Sequence, residues 1–485
     1  RPRTTPRLLH SRRHEGHRSR RRENVVRRIP SRPVLRAVLY VPRRNASLRS
    51  AFRLTAMPKA TLDDRIARGL GLPSLSREAL DAHRLLALNA TLARVVRESP
   101  FYARRLSDVR LPLPSLEAVA GLPFTTPEDL AREPESFRCV APGEVERVVT
   151  LRSSGTTAPP KRVFFSRSDI DDTRAYFAAG LTTLVDPGDA VFVLYPSETP
   201  NSVGELLGKA AGDIGARAIF PVAGEDFRAL SARLGRERVR LLAGDPIQLV
   251  TFARFGRFFG TGFRASRVLL SADSVPTSLR RAVESDLGAE VFAHYGSRET
   301  GYGGGLECAA HGGYHMREAD LLVEAVPHGG AHPAVPGEAG ELVVTTLRRE
   351  AFPLVRYRTG DEGRRAAAPC PCGTLLETWT DVRRIGRESL PTPLESRNTL
   401  EEEAFTLPFV LDIRILATED RIRIALDTLP LPASADADLE PLRRSAAAVG
   451  SVRVTLEIRE IAEPDLSPRP KRRIERTDSS SSQHD

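Results

Sequence analysis

The sequence predicts an α/β fold: a large N-terminal domain of layered mixed sheets with helices plus a β-rich subdomain, and a small α+β C-terminal domain. Three observations lead to this prediction. Compact apolar segments alternate with amphipathic segments through the middle of the chain, which is typical of helices packed on largely parallel strands. From about residue 320 the pattern changes to short strands joined by Pro- and Gly-rich turns. After a polar stretch near 386–400, short strands surround one helical segment.

The individual elements follow from local periodicity, taken in chain order. Residues 61–106 are predicted to be helical because leucine and valine recur at helical spacing. Thr126 is a predicted N-cap, with Pro127 at the first helical position. Strands are predicted at 190–195, 216–220, 239–243, 267–271, 321–326, 340–346, 409–416, 420–427 and 451–460, with helices at 225–236, 276–286 and 436–448.

Composition limits the class of protein. A chain of 485 residues has room for two or three domains and a sizeable core. Hydrophobic residues at 41% and charged residues at 28% are typical of a globular protein, and no run of about 18 apolar residues predicts a membrane span. Four cysteines are too few for a disulfide scaffold in so long a chain. Metal binding or free thiols in a reducing compartment fit better, so we expect a cytoplasmic protein.

The basic charge is confined to the first 56 residues. The chain has a formal net charge of +10, whereas residues 1–56 alone carry +15 from 17 arginines and two glutamates, which leaves −5 for the remainder. A nucleic-acid-binding arm, a transit peptide and translated sequence upstream of the true start are three interpretations of this segment. Because the first methionine is Met57 and the arginine excess lacks lysine, we expect a start there and no nucleic-acid partner. The predicted division is a leader at 1–56, a large domain at 57–387, a small domain at 388–478 and a disordered tail at 479–485.

A loop rich in hydroxyl groups and glycine follows the apolar segment 148–151. Its chemistry-bearing residues are Ser153, Ser154, Gly155, Thr156, Thr157 and Lys161. Glycine allows close approach of the backbone to an anion, hydroxyls and backbone N–H groups donate hydrogen bonds, and lysine adds a cation. The loop lacks the glycine spacing of a P-loop, so it predicts a different polyphosphate cradle. Taken alone, such a loop is more often a solvated turn; the other motifs of the chain favour the cradle.

Further motifs lie at 294–303, 352–361, 381–387 and 468–474. Tyr295 and Gly296 end a predicted strand and offer a flat face to a purine, and Glu299 offers a carboxylate for Mg²⁺. Asp361, after Thr-Gly, is suited to accept hydrogen bonds from a ribose diol. A glycine-rich loop with a satisfied glutamate and a simple turn aspartate are the structural alternatives.

The cysteines give an independent signal. Cys370 and Cys372 lie on a predicted turn with one residue between them, and Cys308 precedes them by about 60 residues. Three thiolates and one imidazole complete a tetrahedral structural zinc site. We favour His315 as the fourth ligand, with His311 as the alternative; unligated buried thiols are the competing interpretation.

The order and spacing of these motifs resemble the adenylate-forming superfamily of acyl-CoA synthetases, luciferases and peptide-synthetase adenylation domains. Within it the chain resembles the phenylacetate–CoA ligase branch. The segments that carry this resemblance are Ser99-Pro100-Phe101-Tyr102, Leu122-Pro123-Phe124-Thr125-Thr126, Ser153-Ser154-Gly155-Thr156-Thr157 and Glu307-Cys308. The matches span roughly residues 65–387.

This resemblance implies a two-step reaction. A carboxylic acid reacts with ATP to give acyl-AMP and pyrophosphate, and a thiol, usually that of coenzyme A, then displaces AMP. The implied phosphate-binding residues are Ser153, Ser154, Gly155, Thr156, Thr157 and Lys161. Tyr295 and Gly296 are implied at the adenine and acyl sites, Glu299 at Mg²⁺ and Asp361 at the ribose.

The resemblance also implies a mobile C-terminal domain. Arg387 is then at the hinge, and Lys471 is the lysine that this domain inserts to neutralise the α-phosphate. Residues 388–393 depart from the acidic pair and apolar segment usual in the branch. Two alternatives to a CoA ligase therefore stay open. The acyl group could pass to a carrier-protein thiol or an amine, or the protein could be a non-catalytic relative. Phe192, Tyr195 and Tyr302 furnish either an aromatic acid pocket or ordinary core packing, and an aryl or arylacetic acid is plausible.

Overall fold

The computed structural model describes residues 61–151, 160–385, 394–417, 421–448, 453–467 and 474–476, and all of them belong to one compact unit. The predicted leader 1–56, the boundary at 387/388 and the tail 479–485 lie outside the described residues. The domain boundaries therefore stay predictions. Among the helices that the structure describes, none combines the length and the apolar character needed to cross a bilayer.

The predicted helical segments 61–106, 225–236, 276–286 and 436–448 all contain helices, and further helices that were not predicted lie between them. The α-helices are α1 (Leu62–Gly69), α2 (Arg77–Glu98), α3 (Pro100–Arg105), α4 (Pro127–Arg132), α5 (Arg167–Leu184), α6 (Val203–Asp213), α7 (Phe227–Arg236), α8 (Pro246–Phe258), α9 (Thr277–Leu287), α10 (Leu394–Thr406), α11 (Ala435–Asp438) and α12 (Glu440–Ala447). The predicted cap of α4 is confirmed: the Thr126 hydroxyl accepts from the Asp129 N–H, and the Asp129 carboxylate accepts from the Thr126 N–H. Helix α10 begins at Leu394, within the small domain predicted at 388–478, so the second half of the polar stretch near 386–400 is helical.

The strands are β1 (Val145–Leu151), β2 (Lys161–Ser166), β3 (Ala190–Val193), β4 (Arg217–Ile219), β5 (Val239–Gly244), β6 (Arg267–Leu270), β7 (Glu290–Tyr295), β8 (Gly305–Glu307), β9 (Tyr314–Met316), β10 (Leu321–Val326), β11 (Ala339–Thr346), β12 (Tyr357–Arg365), β13 (Thr378–Arg384), β14 (Val410–Ala417), β15 (Arg421–Thr428), β16 (Arg453–Glu460) and β17 (Ile474–Arg476). Within the described residues, eleven of them form one sheet in the order β10-β11-β12-β13-β9-β8-β7-β6-β5-β3-β4. Strands β1 and β2 form an antiparallel pair of their own.

The large sheet is parallel in one half and antiparallel in the other. Strands β3 to β7 pair in parallel, and β7 also pairs with β8 in an antiparallel arrangement. The predicted β-rich subdomain therefore extends the same sheet instead of forming a separate one. Because β3 and β5 are covered on both faces, their residues are almost all buried, as parallel strands require.

The C-terminal residues form a four-stranded sheet, in the order β16-β15-β14-β17, with helices α10 to α12. This unit and the α8–α9 face of the large sheet share one apolar core. Two polar contacts reinforce the junction. The buried Arg254 donates from Nη2 to the Phe405 carbonyl oxygen at 2.7 Å. The Glu402 carboxylate accepts from the backbone N–H groups of Thr277 and Ser278 at 2.6 and 2.8 Å, which caps a helix whose own N-cap is Pro276.

A buried ion pair ties the N-terminal segment to the sheet. Arg356, 1% exposed, donates to both carboxylate oxygens of Glu324 on β10 at 3.0 and 3.1 Å. Its remaining N–H groups reach the carbonyl oxygens of Ala120, Leu122 and Ala331 at 2.6–2.8 Å. The guanidinium thus pairs its charge and donates to three separate segments, which is the condition under which a buried charge is tolerated.

Replacing Arg356 by Met removes the cation and leaves Glu324 buried without its partner. We expect the free energy of unfolding to fall by about 3–5 kcal/mol, measured by urea denaturation. The matched control is Arg97→Met, because Arg97 pairs with Glu98 on the exposed surface of α2; its cost should be below about 1 kcal/mol. Equal losses in the two variants would contradict the assigned role.

Candidate active site

Lys161 stands at the first position of β2, directly after the loop between β1 and β2. Its ammonium donates to Oε1 of Glu299, and it lies 3.4 Å from the Tyr357 hydroxyl oxygen. That hydroxyl in turn donates to Glu299 Oε1 at 3.4 Å. Three side chains from β2, β12 and the loop after β7 therefore meet at one point.

The charge of Glu299 is stabilised by this pairing. The side chains of Lys161 and Glu299 are only 16% and 13% exposed. Burial by itself raises the pKa of Glu299, but the charge and hydrogen bond of Lys161 outweigh it, so the net pKa lies below its ordinary value of 4.5. Glu299 is therefore an ionised carboxylate at neutral pH.

Asp361 forms a second group beside the first. The Tyr295 hydroxyl donates to Asp361 Oδ2 at 2.9 Å, and Arg384 Nη1 donates to Oδ1 at 3.0 Å. Asp361 and Arg384 are directly opposed in the β12–β13 ladder. Burial and the neighbouring Asp361 carboxylate raise the pKa of Tyr295 well above its ordinary range, so the phenol remains a donor.

Gly296 allows the loop after β7 to fold back on itself. A Cβ atom there would lie 2.6 Å from the Tyr302 carbonyl oxygen and 3.0 Å from His294 Cε1. Any side chain at this position would push the two arms of the loop apart. Because Tyr295 and Glu299 flank this bend, Gly296 keeps the Asp361 group and the Lys161 group adjacent.

The structure thus brings together Lys161 with Glu299, and Tyr295 with Asp361. The other predicted site residues lie outside the described residues: Ser153, Ser154, Gly155, Thr156, Thr157, Arg387 and Lys471. Sequence reasoning assigned no role to Tyr357 or Arg384. For Tyr357 a signal existed, because it is four residues before Asp361 on one strand and therefore shares its face.

The predicted metal ligands also meet. The ligand atoms of Cys308, His315, Cys370 and Cys372 all lie within 4.8 Å of one another. Sγ of Cys308 is 3.6 Å from Sγ of Cys370, and Sγ of Cys372 is 3.4 Å from Nε2 of His315. The four residues bring the turn between β12 and β13 into contact with the segment around β8 and β9.

His311, the alternative ligand, faces away from this cluster. Its Nε2 lies 3.3 Å from Glu290 Oε1 and its Nδ1 lies 3.5 Å from Glu307 Oε2. Nδ1 of His315, by contrast, lies 3.4 Å from the Thr378 hydroxyl, which leaves Nε2 directed at the sulfur atoms. The arrangement favours His315 as the fourth ligand.

Comparisons with known proteins agree with the motifs. No protein-family model matches the chain. The phenylacetate-coenzyme A ligase of Thermus thermophilus is 29% identical over 316 residues, covering 62% of this chain and 69% of the relative. The enzymes of the same name from Pseudomonas putida and Escherichia coli are each 27% identical, over 333 and 308 residues; they cover 65% and 60% of this chain and 71% and 68% of those relatives. The resemblance predicted from the motifs is confirmed.

Solved structures share the fold. A 2-hydroxyisobutyryl-CoA ligase in the postadenylation state, in complex with 2-HIB-AMP, matches with a TM-score of 0.69 at 16% identity, covering 89% of this chain and 95% of that one. The same ligase in the thioesterification state, with 2-HIB-AMP and CoA, matches with a TM-score of 0.58 at 19% identity, covering 83% and 91%. The predicted α/β class is confirmed.

Replacing Lys161 by Met removes the cation beside Glu299. We expect the free energy of unfolding near pH 7 to fall by about 1–3 kcal/mol, because a largely buried carboxylate loses its partner. The pKa of Glu299 is lower in the folded protein than its ordinary 4.5, so its contribution is present above pH 4.5 and is lost as pH falls through the folded value. The difference in the free energy of unfolding between the wild-type protein and Lys161→Met should therefore become smaller at acidic pH.

The measurement is urea denaturation of both proteins at several pH values. Lys209→Met is the control, since Lys209 pairs with Glu205 on the surface of α6, and its effect should stay below about 0.5 kcal/mol at every pH. If the loss in free energy of unfolding caused by Lys161→Met were the same at every pH, it would contradict the coupling to Glu299.

Proposed function

We propose that the protein is an ATP-dependent carboxylic acid ligase, which forms acyl-AMP and then an acyl-CoA thioester. The observation that carries the proposal is that distant motif residues meet in two neighbouring groups: Lys161 contacts Glu299 across 138 positions, and Tyr295 contacts Asp361 across 66. Similarity to phenylacetate-coenzyme A ligases supports the same reaction, with an aryl or arylacetic acid as a plausible substrate.

The charges of the site suit the first step. A carboxylate oxygen of the acid attacks the α-phosphorus of ATP, and the bond to pyrophosphate breaks. Both reactants are anionic, so their repulsion dominates the barrier and cations lower it. Lys161 supplies one cation from β2, and Lys471 is proposed to supply another at the α-phosphate. In the second step the thiol sulfur of CoA attacks the acyl carbon and AMP leaves.

The nucleotide would be held by the groups around Asp361. A carboxylate offers about four lone-pair sites, so Asp361 can accept from ribose hydroxyls while Tyr295 and Arg384 still donate to it. The ring of Tyr295 is proposed to border the adenine. The loop residues Ser153 to Thr157 are proposed to bind the phosphates.

Mg²⁺ would be held by Glu299. The donor chemistry fits, because the lowered pKa keeps this carboxylate ionised and magnesium prefers hard oxygen ligands. When bound, the ion neutralises phosphate charge. The Lys161 ammonium donates to Glu299 Oε1 and thereby fixes the position of this carboxylate.

Carboxylate-dependent exchange of pyrophosphate into ATP tests the proposal. We expect exchange with at least one acid of an aryl, arylacetic and short-chain panel, and thioester formation once CoA is added. Lys471→Ala should abolish exchange yet largely spare thioester formation from preformed acyl-AMP, and Lys209→Ala, on the surface of α6, should change neither. Exchange without thioester would favour a different acceptor. No exchange with any acid would overturn the proposal.

We further propose that Cys308, His315, Cys370 and Cys372 bind a structural zinc ion. Sulfur and nitrogen atoms 3.4–3.6 Å apart match the edges of a tetrahedron whose metal–ligand bonds are about 2.0–2.3 Å long. Four protein ligands leave no position open for substrate. A cytoplasmic location is supported by this cluster, because a reducing compartment keeps its thiols available for metal.

Elemental analysis of protein purified without chelator should find about one zinc per chain. Cys372→Ser should lower the bound zinc at least about tenfold and lower the thermal midpoint, because metal binding contributes directly to folding stability. Cys139→Ser is the matched control, since Cys139 is buried beside the Phe137 carbonyl group far along the chain; its zinc content should be unchanged. A zinc-free wild-type protein, after growth with added zinc, would contradict the site.

A further inference from the structure

Two buried polar atoms next to the candidate active site have no hydrogen-bond partner among the described residues. They are the hydroxyl oxygen of Tyr176, on α5, and Nε2 of His294, at the end of β7. The rings of the two residues lie side by side, with centroids 5.9 Å apart. Buried polar atoms are almost always paired in folded proteins, so two unpartnered atoms on neighbouring rings point to a site for a polar ligand.

The polar character of this place is built into the sheet. His294 Nδ1 lies 2.8 Å from the Ser271 hydroxyl, which leaves only Nε2 to meet a ligand. Tyr195, at the end of β3, donates its own hydroxyl to the Gly244 carbonyl oxygen at 2.9 Å and is satisfied. Tyr195, Ser271 and His294 all lie at the carboxyl ends of parallel strands. This edge includes the point between β3 and β5 where the strand order reverses. Ligands of open α/β sheets bind at this edge.

The location joins the pair to the reaction centre. His294 immediately precedes Tyr295, and its ring contacts the space beside Gly296. The Tyr176 ring rests against Gly303, where an added Cβ atom would lie 2.3 Å from Tyr176 Cε1. Phe192, by contrast, is fully buried in the core shared with α8.

Both groups are uncharged. Burial, with Arg317 nearby, lowers the pKa of His294 to about 4, so the imidazole is neutral near pH 7. Burial also raises the pKa of Tyr176 above its ordinary range. A neutral imidazole nitrogen and a phenol can each donate or accept a hydrogen bond, so together they match a hydroxyl group, which also does both.

We infer that His294 and Tyr176 are specificity-determining residues that bind a hydroxyl group on the hydrocarbon part of the acid. This inference rests on the proposed ligase function and names its substrate class, a hydroxy-substituted carboxylic acid. Tyr176 and His294 are each partly buried as residues, and their two unpartnered polar atoms are closed to solvent. The hydroxyl of the acid would supply the hydrogen-bond partner that neither atom has among the described residues.

Pyrophosphate exchange with matched pairs of acids tests the inference: phenylacetic and 4-hydroxyphenylacetic, benzoic and 4-hydroxybenzoic, butyric and 3-hydroxybutyric acid. For at least one pair we expect kcat/KM to favour the hydroxylated member by about 100-fold or more, because a site that binds a hydroxyl rejects the analogue lacking it. Tyr176→Phe should reduce that ratio at least about tenfold, and His294→Phe should do the same. Tyr314→Phe, on β9, should leave the ratio unchanged.

A stability measurement separates recognition from a structural role. The Tyr176 hydroxyl has no partner among the described residues, so Tyr176→Phe should unfold at the same or a higher urea concentration. A lowered urea midpoint together with an unchanged ratio would overturn the inference. So would exchange with equal kcat/KM for both members of every pair, although the ligase function would then stand. Absence of exchange with all acids would instead reject the ligase function and the inference built on it.

Discussion

The buried guanidinium of Arg356 is the constraint on which the rest of the site depends. It binds Glu324 of β10 and three carbonyl groups from two otherwise irregular segments. The next residue along the chain is Tyr357, whose hydroxyl contacts Lys161 and Glu299. The position of that hydroxyl is therefore set by an ion pair in the protein interior. Asp361 lies on the same strand, β12, so the ion pair also restrains its position.

The second organising feature is the change of strand direction at β7. On one side β7 continues the parallel half of the sheet, and on the other it begins the antiparallel half. The loop that follows β7 lies at this seam and supplies Tyr295, Gly296 and Glu299. Residues from both halves therefore converge there, and the parallel half contributes Ser271 and Tyr195 at its carboxyl edge.

Much of this arrangement was predictable from the sequence. The parallel strands and their helices follow from alternating apolar and amphipathic segments, and the motif residues follow from their chemistry. The three-residue strands β8 and β9 are too short to show periodicity, so their pairing, and with it the continuity of the sheet, could not be read from local sequence. The role of Arg384 depends on the β12–β13 register, which is a non-local property. The core that the C-terminal unit shares with α8 and α9 likewise depends on tertiary packing, which the spacing of apolar residues along the sequence does not predict.

The Glu402 carboxylate at the start of α9 has a consequence for how the chain can be divided. A fragment that stops before α10 loses this cap and also uncovers the apolar sides of α8 and α9. Such a fragment would carry an open hydrophobic surface next to an uncapped helix end, a combination that promotes self-association. The C-terminal unit thus acts as a solubilising cover for the large domain, in addition to any part it takes in chemistry.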